Sequence, residues 1–254
     1  MEDVGRMSEK IPVIILAAGK GTRMMHPELP KVLVEFRGRP MIEYLLDAVE
    51  HSGVCQKPTL VVGYRQEKIR ERLGDRAEYV EQREQQGTGH AVGAARSVLQ
   101  GRSEQVLVFY GDNPFVSAET IAMFANAHKQ SGAMVTLAVT RATDFMGPRE
   151  NLRYYGRIVR GTDGHVMGIT EYKDSSDELR QSRELNTMMY AFNASWLWSH
   201  IDQIKNSNAQ QEYLITDLIQ LAASEAVRIE TCSISVEETY GINSKEELAA
   251  LEAL

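Results

Sequence analysis

The strongest constraint on the fold is an alternation. Over residues 11–140, short apolar runs recur between stretches with helical spacing. Pro12 to Leu16 reads as a buried strand, being short, apolar and followed by small residues. Met41, Ile42, Leu45, Leu46 and Val49 repeat at helical spacing, and Gly53 stands where a left-handed cap belongs. Thr59 to Val62 predicts the next strand, and Gln66 to Leu73 a short charged helix closed by Gly74. Ala91, Val92, Ala95, Val98 and Leu99 mark one helix. Val106 to Tyr110 is again a strand, Ala118 to Gln130 a helix and Met134 to Val139 an extended run. Strands alternating with helices pack as a parallel sheet covered on both faces. The expected class is α/β, with a mixed, mainly parallel sheet flanked by helices.

The second half is less regular. Tyr155 to Val159 and Val166 to Tyr172 flank the turn Gly161-Thr162-Asp163-Gly164 and predict a hairpin. Thr187 to Phe192 reads as extended, Tyr213 to Ala223 as a helix, and Val227 to Ile234 as a strand. Ser244 with Glu247 forms a capping box that opens the last helix, over 244–254. Thr143 to Leu152, with Gly147-Pro148, reads as the loosest segment. With no linker and no internal repeat, the expectation is a single domain over 1–254.

Composition excludes several classes. The charge sum is 28 − 35 = −7. A chain this acidic lacks the basic stripe that nucleic-acid backbones require, though it can hold a local anion pocket. The longest apolar run, Val13 to Ala18, falls far short of the ~18 residues of a membrane span. Met1 to Lys10 is polar, carries no signal-peptide core and is expected to be a frayed lead-in. Cys55 and Cys232 make neither a disulfide framework nor a zinc motif, which suits a reducing cytoplasm.

The chemistry concentrates in a loop. Leu16-Ala17-Ala18-Gly19-Lys20-Gly21-Thr22-Arg23 leaves the first strand, and Lys31 follows shortly after. Such a loop sits at the carboxyl end of a strand, where open α/β sheets bind ligands. Small residues let backbone N–H groups approach phosphate oxygens, and Arg23 and Lys31 add positive charge. Taken alone, a glycine pair like this is more often a plain turn. It is not a Walker A loop, because Ile14 stands where the first glycine belongs and Gly21 where Ser or Thr belongs. It is not a dinucleotide fingerprint, because Met24 holds the third glycine position and Gly63, not an acid, follows the next strand. Asp112, directly after Gly111, places a carboxylate at the end of another strand, although Gly-Asp-Asn-Pro at 111–114 also suits an ordinary turn.

Leu16 to Leu33 resembles the signature of the sugar-1-phosphate nucleotidyltransferases. More narrowly, it is similar to the pyrophosphorylase domain of bifunctional N-acetylglucosamine-1-phosphate uridyltransferases. The resemblance continues, in order, through Gln82 to Ala91, Tyr110-Gly111-Asp112 and Tyr155-Gly156-Arg157-Ile158. It runs on through Glu171 to Asp174, Leu185-Asn186-Thr187, Glu212 to Asp217 and Gly241-Ile242-Asn243.

This resemblance implies a Rossmann-like nucleotide-diphospho-sugar transferase fold. It implies that about 11–140 bind nucleotide and about 141–243 bind sugar. The reaction implied is UTP plus N-acetylglucosamine 1-phosphate giving UDP-N-acetylglucosamine and pyrophosphate, with Mg²⁺. Arg23 and Lys31 would be catalytic, acting on the triphosphate. Leu16, Ala17, Ala18, Gly19, Gln82, Gly87 and Thr88 would hold the nucleotide. Tyr110, Gly111, Gly156, Glu171 and Asn186 would hold the sugar, and Asp112 and Asn243 the metal. Glu171 and Lys173 would share a strand face, where an exposed ion pair is the alternative reading. His90 is read as structural.

Three departures stand out. No hexapeptide repeats of the acetyltransferase half are present, so acetyl transfer is not expected. Met188 follows Thr187 where the family has glycine, which leaves the sugar open. The stretch Arg141 to Tyr154 is longer than usual. The alternatives are the same chemistry on another sugar or nucleotide, or a non-catalytic nucleotide-sugar sensor. Oligomeric state is not specified.

Overall fold

A computed structural model describes residues 10–24 and 28–254. The polar lead-in, Lys10 apart, lies outside the described residues. The first strand, β1 (Val13–Ala17), is buried on both sides. Alternation along the strand sends Val13, Ile15 and Ala17 into one core and Ile14 into the other. A single 3-10 turn at Lys31–Leu33 leads to a small hairpin of β2 (Glu35–Phe36) and β3 (Arg39–Pro40). α1 (Met41–Ser52) buries Ile42, Leu45, Leu46 and Val49 and stops at Gly53, whose φ of 68° is left-handed. β4 (Thr59–Val62), α2 (Gln66–Leu73), β5 (Glu78–Glu81), α3 (Thr88–Ala94) and α4 (Arg96–Leu99) follow. Then come β6 (Gln105–Tyr110), α5 (Ala118–Ser131) and β7 (Val135–Arg141). The later elements are β8 (Arg157–Arg160), β9 (Val166–Thr170), α6 (Asp177–Arg180) and β10 (Glu184–Asn193). They end with α7 (Ala194–His200), α8 (Asp217–Ser224), β11 (Ile229–Ser233) and α9 (Lys245–Glu252).

The main sheet runs β11-β7-β10-β6-β1-β4-β5, with β8 beside β10 and β9 beyond it. The strands β6, β1, β4 and β5 are parallel, as are β7 and β11, whereas β10 is antiparallel to β6, β7 and β8. The expected mixed, mainly parallel sheet is borne out. Because β1, β4 and β6 run the same way, their carboxyl ends open on one edge, and the loops that follow them face each other there.

Four expectations need correction. The helix over 91–99 breaks at Ala95, where the N–H bonds Val92 O at 3.0 Å in a tighter turn. The helix expected from Tyr213 begins only at Asp217. The Tyr213 backbone is already committed: its N–H bonds Gln86 O and its carbonyl accepts from Gly89 N–H, both at 2.8 Å. The stretch 143–152 is not loose. It enters the 3-10 helix Gly147–Tyr154, buries Leu152, and is pinned where Arg149 grips Asp144 through two bonds of 2.9 Å. Finally, β9 ends at Thr170, so Glu171 and Lys173 do not share a strand face. The Glu171 carboxylate takes a bond from Thr216 instead.

Candidate active site

The site begins with register. Leu16 of β1 lies opposite Tyr110 of β6, so Ala17, Ala18 and Gly111, Asp112 leave the sheet side by side. Gly111 N–H bonds Leu16 O at 2.9 Å. A Cβ at 111 would stand 3.1 Å from that oxygen, a tight contact that glycine avoids where the two loops approach. Between them and the β5–α3 connection lies a cavity of about 230 Å³. Leu16, Ala17, Ala18, Gly19, Lys31, Gln82, Gly87, Thr88, Tyr110 and Asp112 all line it.

At its mouth four residues from distant positions converge. The Lys31 ammonium bonds the Asp112 carboxylate and, at 2.7 Å, the Asn243 Oδ1. An Arg23 guanidinium nitrogen stands 3.5 Å from the same Asn243 oxygen. Asp112 and Asn243 are therefore close enough for one cation to touch both. The second Asp112 oxygen, Oδ1, is buried without a hydrogen-bond donor from the protein. Such an atom is costly to bury unless something positive reaches it. A carboxylate and a carboxamide oxygen are hard donors that suit Mg²⁺, which takes one or two protein groups and fills its other positions with phosphate and water oxygens. Among the described residues no group of three or more His, Cys, Asp or Glu is placed to hold a metal.

The base-side residues are held by backbone. Gln82 is buried, its N–H bonding Val62 O at 2.7 Å in continuation of the sheet. Its amide nitrogen donates to Gly87 O at 3.0 Å and meets His90 Nδ1 at 2.9 Å. An amide nitrogen has no lone pair to offer, so His90 Nδ1 is the acceptor of this bond. His90 is thereby a support for Gln82. With both N–H groups committed, Gln82 has only its carbonyl oxygen to offer a ligand. Gly87 sits at φ 119°, and a Cβ there would approach Tyr213 O to 2.5 Å. The Thr88 hydroxyl accepts from Ile215 N–H at 3.1 Å.

On the other side, Gly156, Glu171 and Asn186 come together. A Cβ at Gly156 would lie 3.6 Å from both Asn186 Cβ and Glu171 Oε2. Asn186 N–H bonds Gly156 O at 3.0 Å. The Asn186 side chain is itself tied down, Nδ2 donating to the Tyr190 hydroxyl at 2.7 Å and Oδ1 accepting from Met188 N–H at 3.2 Å. Burial pushes the Glu171 carboxyl above its ordinary range, against the opposing bond from Thr216. Half-burial beside Asp174 pushes the neighbouring Asp217 up to about 6. Burial likewise raises the Tyr110 phenol, which lies against Thr88 and Tyr190 and so stands between the two sides. Lys173 is exposed and takes no part.

Reading the sequence missed Thr216, Tyr190 and Tyr155, whose hydroxyls position the named residues. Tyr155 and Thr216 carried a signal, each standing in a motif already singled out, Tyr155 to Ile158 and Glu212 to Asp217.

Comparison with known proteins gives the chain's family and fold. A family model described as a MobA-like NTP transferase domain matches residues 13–213. Curated relatives include the bifunctional protein GlmU of Heliobacterium modesticaldum, 41% identical over 246 residues, covering 96% of this chain and 52% of that protein. The GlmU of Geobacillus thermodenitrificans is 39% identical over 242 residues, covering 95% and 51%. The chain thus spans about half the length of the curated relatives it matches. A UDP-glucose pyrophosphorylase solved with UDP-glucose superposes with a TM-score of 0.76 at 16% identity, covering 96% of this chain and 97% of its own. A glucose-1-phosphate thymidylyltransferase, so described from Bacillus anthracis and solved with sucrose, gives 0.74 at 17%, covering 96% and 94%. At such identities the two structures establish a shared fold.

Proposed function

The chain belongs to the family of MobA-like NTP transferase domains, and from that premise we propose that it couples a nucleoside triphosphate to a sugar 1-phosphate and releases pyrophosphate. The substrates we assign are UTP and N-acetylglucosamine 1-phosphate, and the product is UDP-N-acetylglucosamine. The observation that carries this reading is the convergence of Arg23, Lys31, Asp112 and Asn243 at the mouth of the cavity lined by Leu16 to Gly19 and Gln82.

The attacking phosphate oxygen is already an anion at neutral pH, so the chain needs no general base. It needs to bring anions together and hold them in line. The backbone N–H groups from Leu16 to Gly19 bind the nucleotide, and Arg23 and Lys31 neutralise the triphosphate and the leaving pyrophosphate. Asp112 and Asn243 fit Mg²⁺, and the otherwise unmatched Asp112 Oδ1 supports that fit. When bound, Mg²⁺ supplies charge neutralisation on the phosphate oxygens. Residues of about 11–140 serve the nucleotide and those of about 141–243 the sugar.

A fixed carbonyl at Gln82 supports uracil over cytosine, because it accepts from the uracil N3–H and repels the cytosine N3 lone pair. Gly156, Glu171 and Asn186 support a hydroxyl-rich sugar, with the Gly156 backbone near its acetamido group.

The test is pyrophosphate release with Mg²⁺, crossing four nucleoside triphosphates with a panel of sugar 1-phosphates. Release confined to UTP with N-acetylglucosamine 1-phosphate is expected, and chelation should abolish it. Release with another sugar moves the sugar assignment alone. Silence across the panel, with a nucleotide sugar still bound, replaces the enzyme by a sensor.

A further inference from the structure

Asn243 lies in an irregular stretch between the 3-10 turn Glu237–Thr239 and α9. Its carboxamide must stand one cation's width from Asp112, so something must fix that stretch. Three contacts do. Ile242 N–H donates to Asp112 O at 2.9 Å, tying the two loops together through backbone. Asn243 N–H donates to the Glu247 carboxylate, tying it to α9. The third contact is the phenol of Tyr155. It donates to Thr239 O at 2.8 Å and accepts from Gly241 N–H at 3.0 Å.

One oxygen thus clamps two peptide groups immediately before Asn243. Gly241 lies beside it: a Cβ there would stand at ordinary contact distance, 3.4 Å from the Tyr155 hydroxyl and 3.5 Å from Asn243 Nδ2. Tyr155 in turn is fixed by the scaffold. Its ring packs against the core cluster containing Tyr240, Ile242 and Leu152, and its carbonyl takes a bond from the buried Arg157 guanidinium. Its chain neighbour is Gly156, on the opposite side of the site.

We infer that Tyr155 is a positioning residue for the metal-binding pair, its hydroxyl holding the Asn243 oxygen in register with Asp112. The inference rests on the assignment of Asp112 and Asn243 made above. It adds that the pair is set from the Gly156 side, through a residue that touches no reacting atom.

The experiment is a Mn²⁺ titration, read by electron paramagnetic resonance, of protein saturated with a non-hydrolysable UTP analogue. Tyr155→Phe deletes both bonds and keeps the ring. With both bonds lost, the stretch bearing Asn243 is no longer clamped, and Mn²⁺ affinity should fall about fivefold or more. Affinity for the nucleotide measured without metal should change less than about twofold, because no nucleotide contact is removed. In an Asn243→Ala background, Tyr155→Phe should cost nothing further, which a merely structural loss would not mimic. Wild-type Mn²⁺ affinity in Tyr155→Phe overturns the inference, as does an undiminished loss in the Asn243→Ala background. Wild-type protein that binds no Mn²⁺ overturns the metal assignment itself, and this inference with it.

Discussion

At the scale of the residue, position 21 shows how much of the site depends on an absent side chain. Gly21 has φ 62°, and a Cβ there would meet Lys31 Cβ at 2.5 Å and Lys31 Cα at 3.3 Å. The loop therefore lies directly against the stem of the lysine whose ammonium bonds Asp112 and Asn243. Gly21→Ala should move Lys31 and lower kcat/KM for UTP at least about tenfold, while the left-handed backbone adds a stability cost of about 1–2 kcal/mol. Steady-state kinetics beside urea unfolding separate the two effects. A variant with unchanged kcat/KM would show that the loop does not set Lys31. The glycines were visible in the sequence, and so was the basic pair. Their convergence on Asp112 and Asn243 was not, because no local spacing relates positions so far apart; only the family resemblance joined them. Met188 is similar. Its departure from the family's glycine was plain, but its φ of 62° at a bulge in β10 is a tertiary fact.

At the scale of the element, α8 separates what is local from what is not. Its sequence pattern gave the helix but misplaced its start, because the Tyr213 backbone pairs with Gln86 and Gly89, partners a local window does not contain. Its end follows local rules. Ala226 N–H bonds Ala223 O at 3.0 Å and Val227 N–H bonds Ala222 O at 3.2 Å, the paired bonds of a Schellman cap. The residue at the left-handed position of that cap is normally glycine, yet here exposed Ala226 takes φ 53°. Ala226→Gly should relieve the strain and stabilise the protein by about 1 kcal/mol. Urea unfolding checks this; a midpoint at or below the wild-type value would mean that the greater freedom of glycine in the unfolded chain cancels the gain. Because Ala226 lies at the far end of α8 from Thr216, activity should stay unchanged. The contrast with α1 is instructive: Gly53 closes that helix at φ 68° without strain, and there the sequence alone predicted the terminus.

At the scale of the molecule, the described residues form three apolar clusters of unequal size. Two large ones fill the faces of the sheet. The third, smallest among the described residues, gathers Met24, Phe36, Leu152, Tyr240, Ile242 and Leu251. It is this third cluster that docks α9 and the 3-10 helix Gly147–Tyr154, and the segment bearing Asn243 hangs from it. Local opening free energy follows the apolar contact that holds a region, so this layer should open before the sheet unfolds. Such opening separates Asn243 from Asp112 while leaving the parallel strands intact. In a urea series, pyrophosphate release should therefore fall at a lower concentration than far-ultraviolet circular dichroism. The resulting gap departs from two-state behaviour. On the proposed function Mg²⁺ with UTP would bind across both parts of the site and should close the gap, since a ligand stabilises only the state that binds it. Coincident transitions without ligand would instead make the three clusters one cooperative unit. The metal pair would then be as stable as the sheet that carries Asp112.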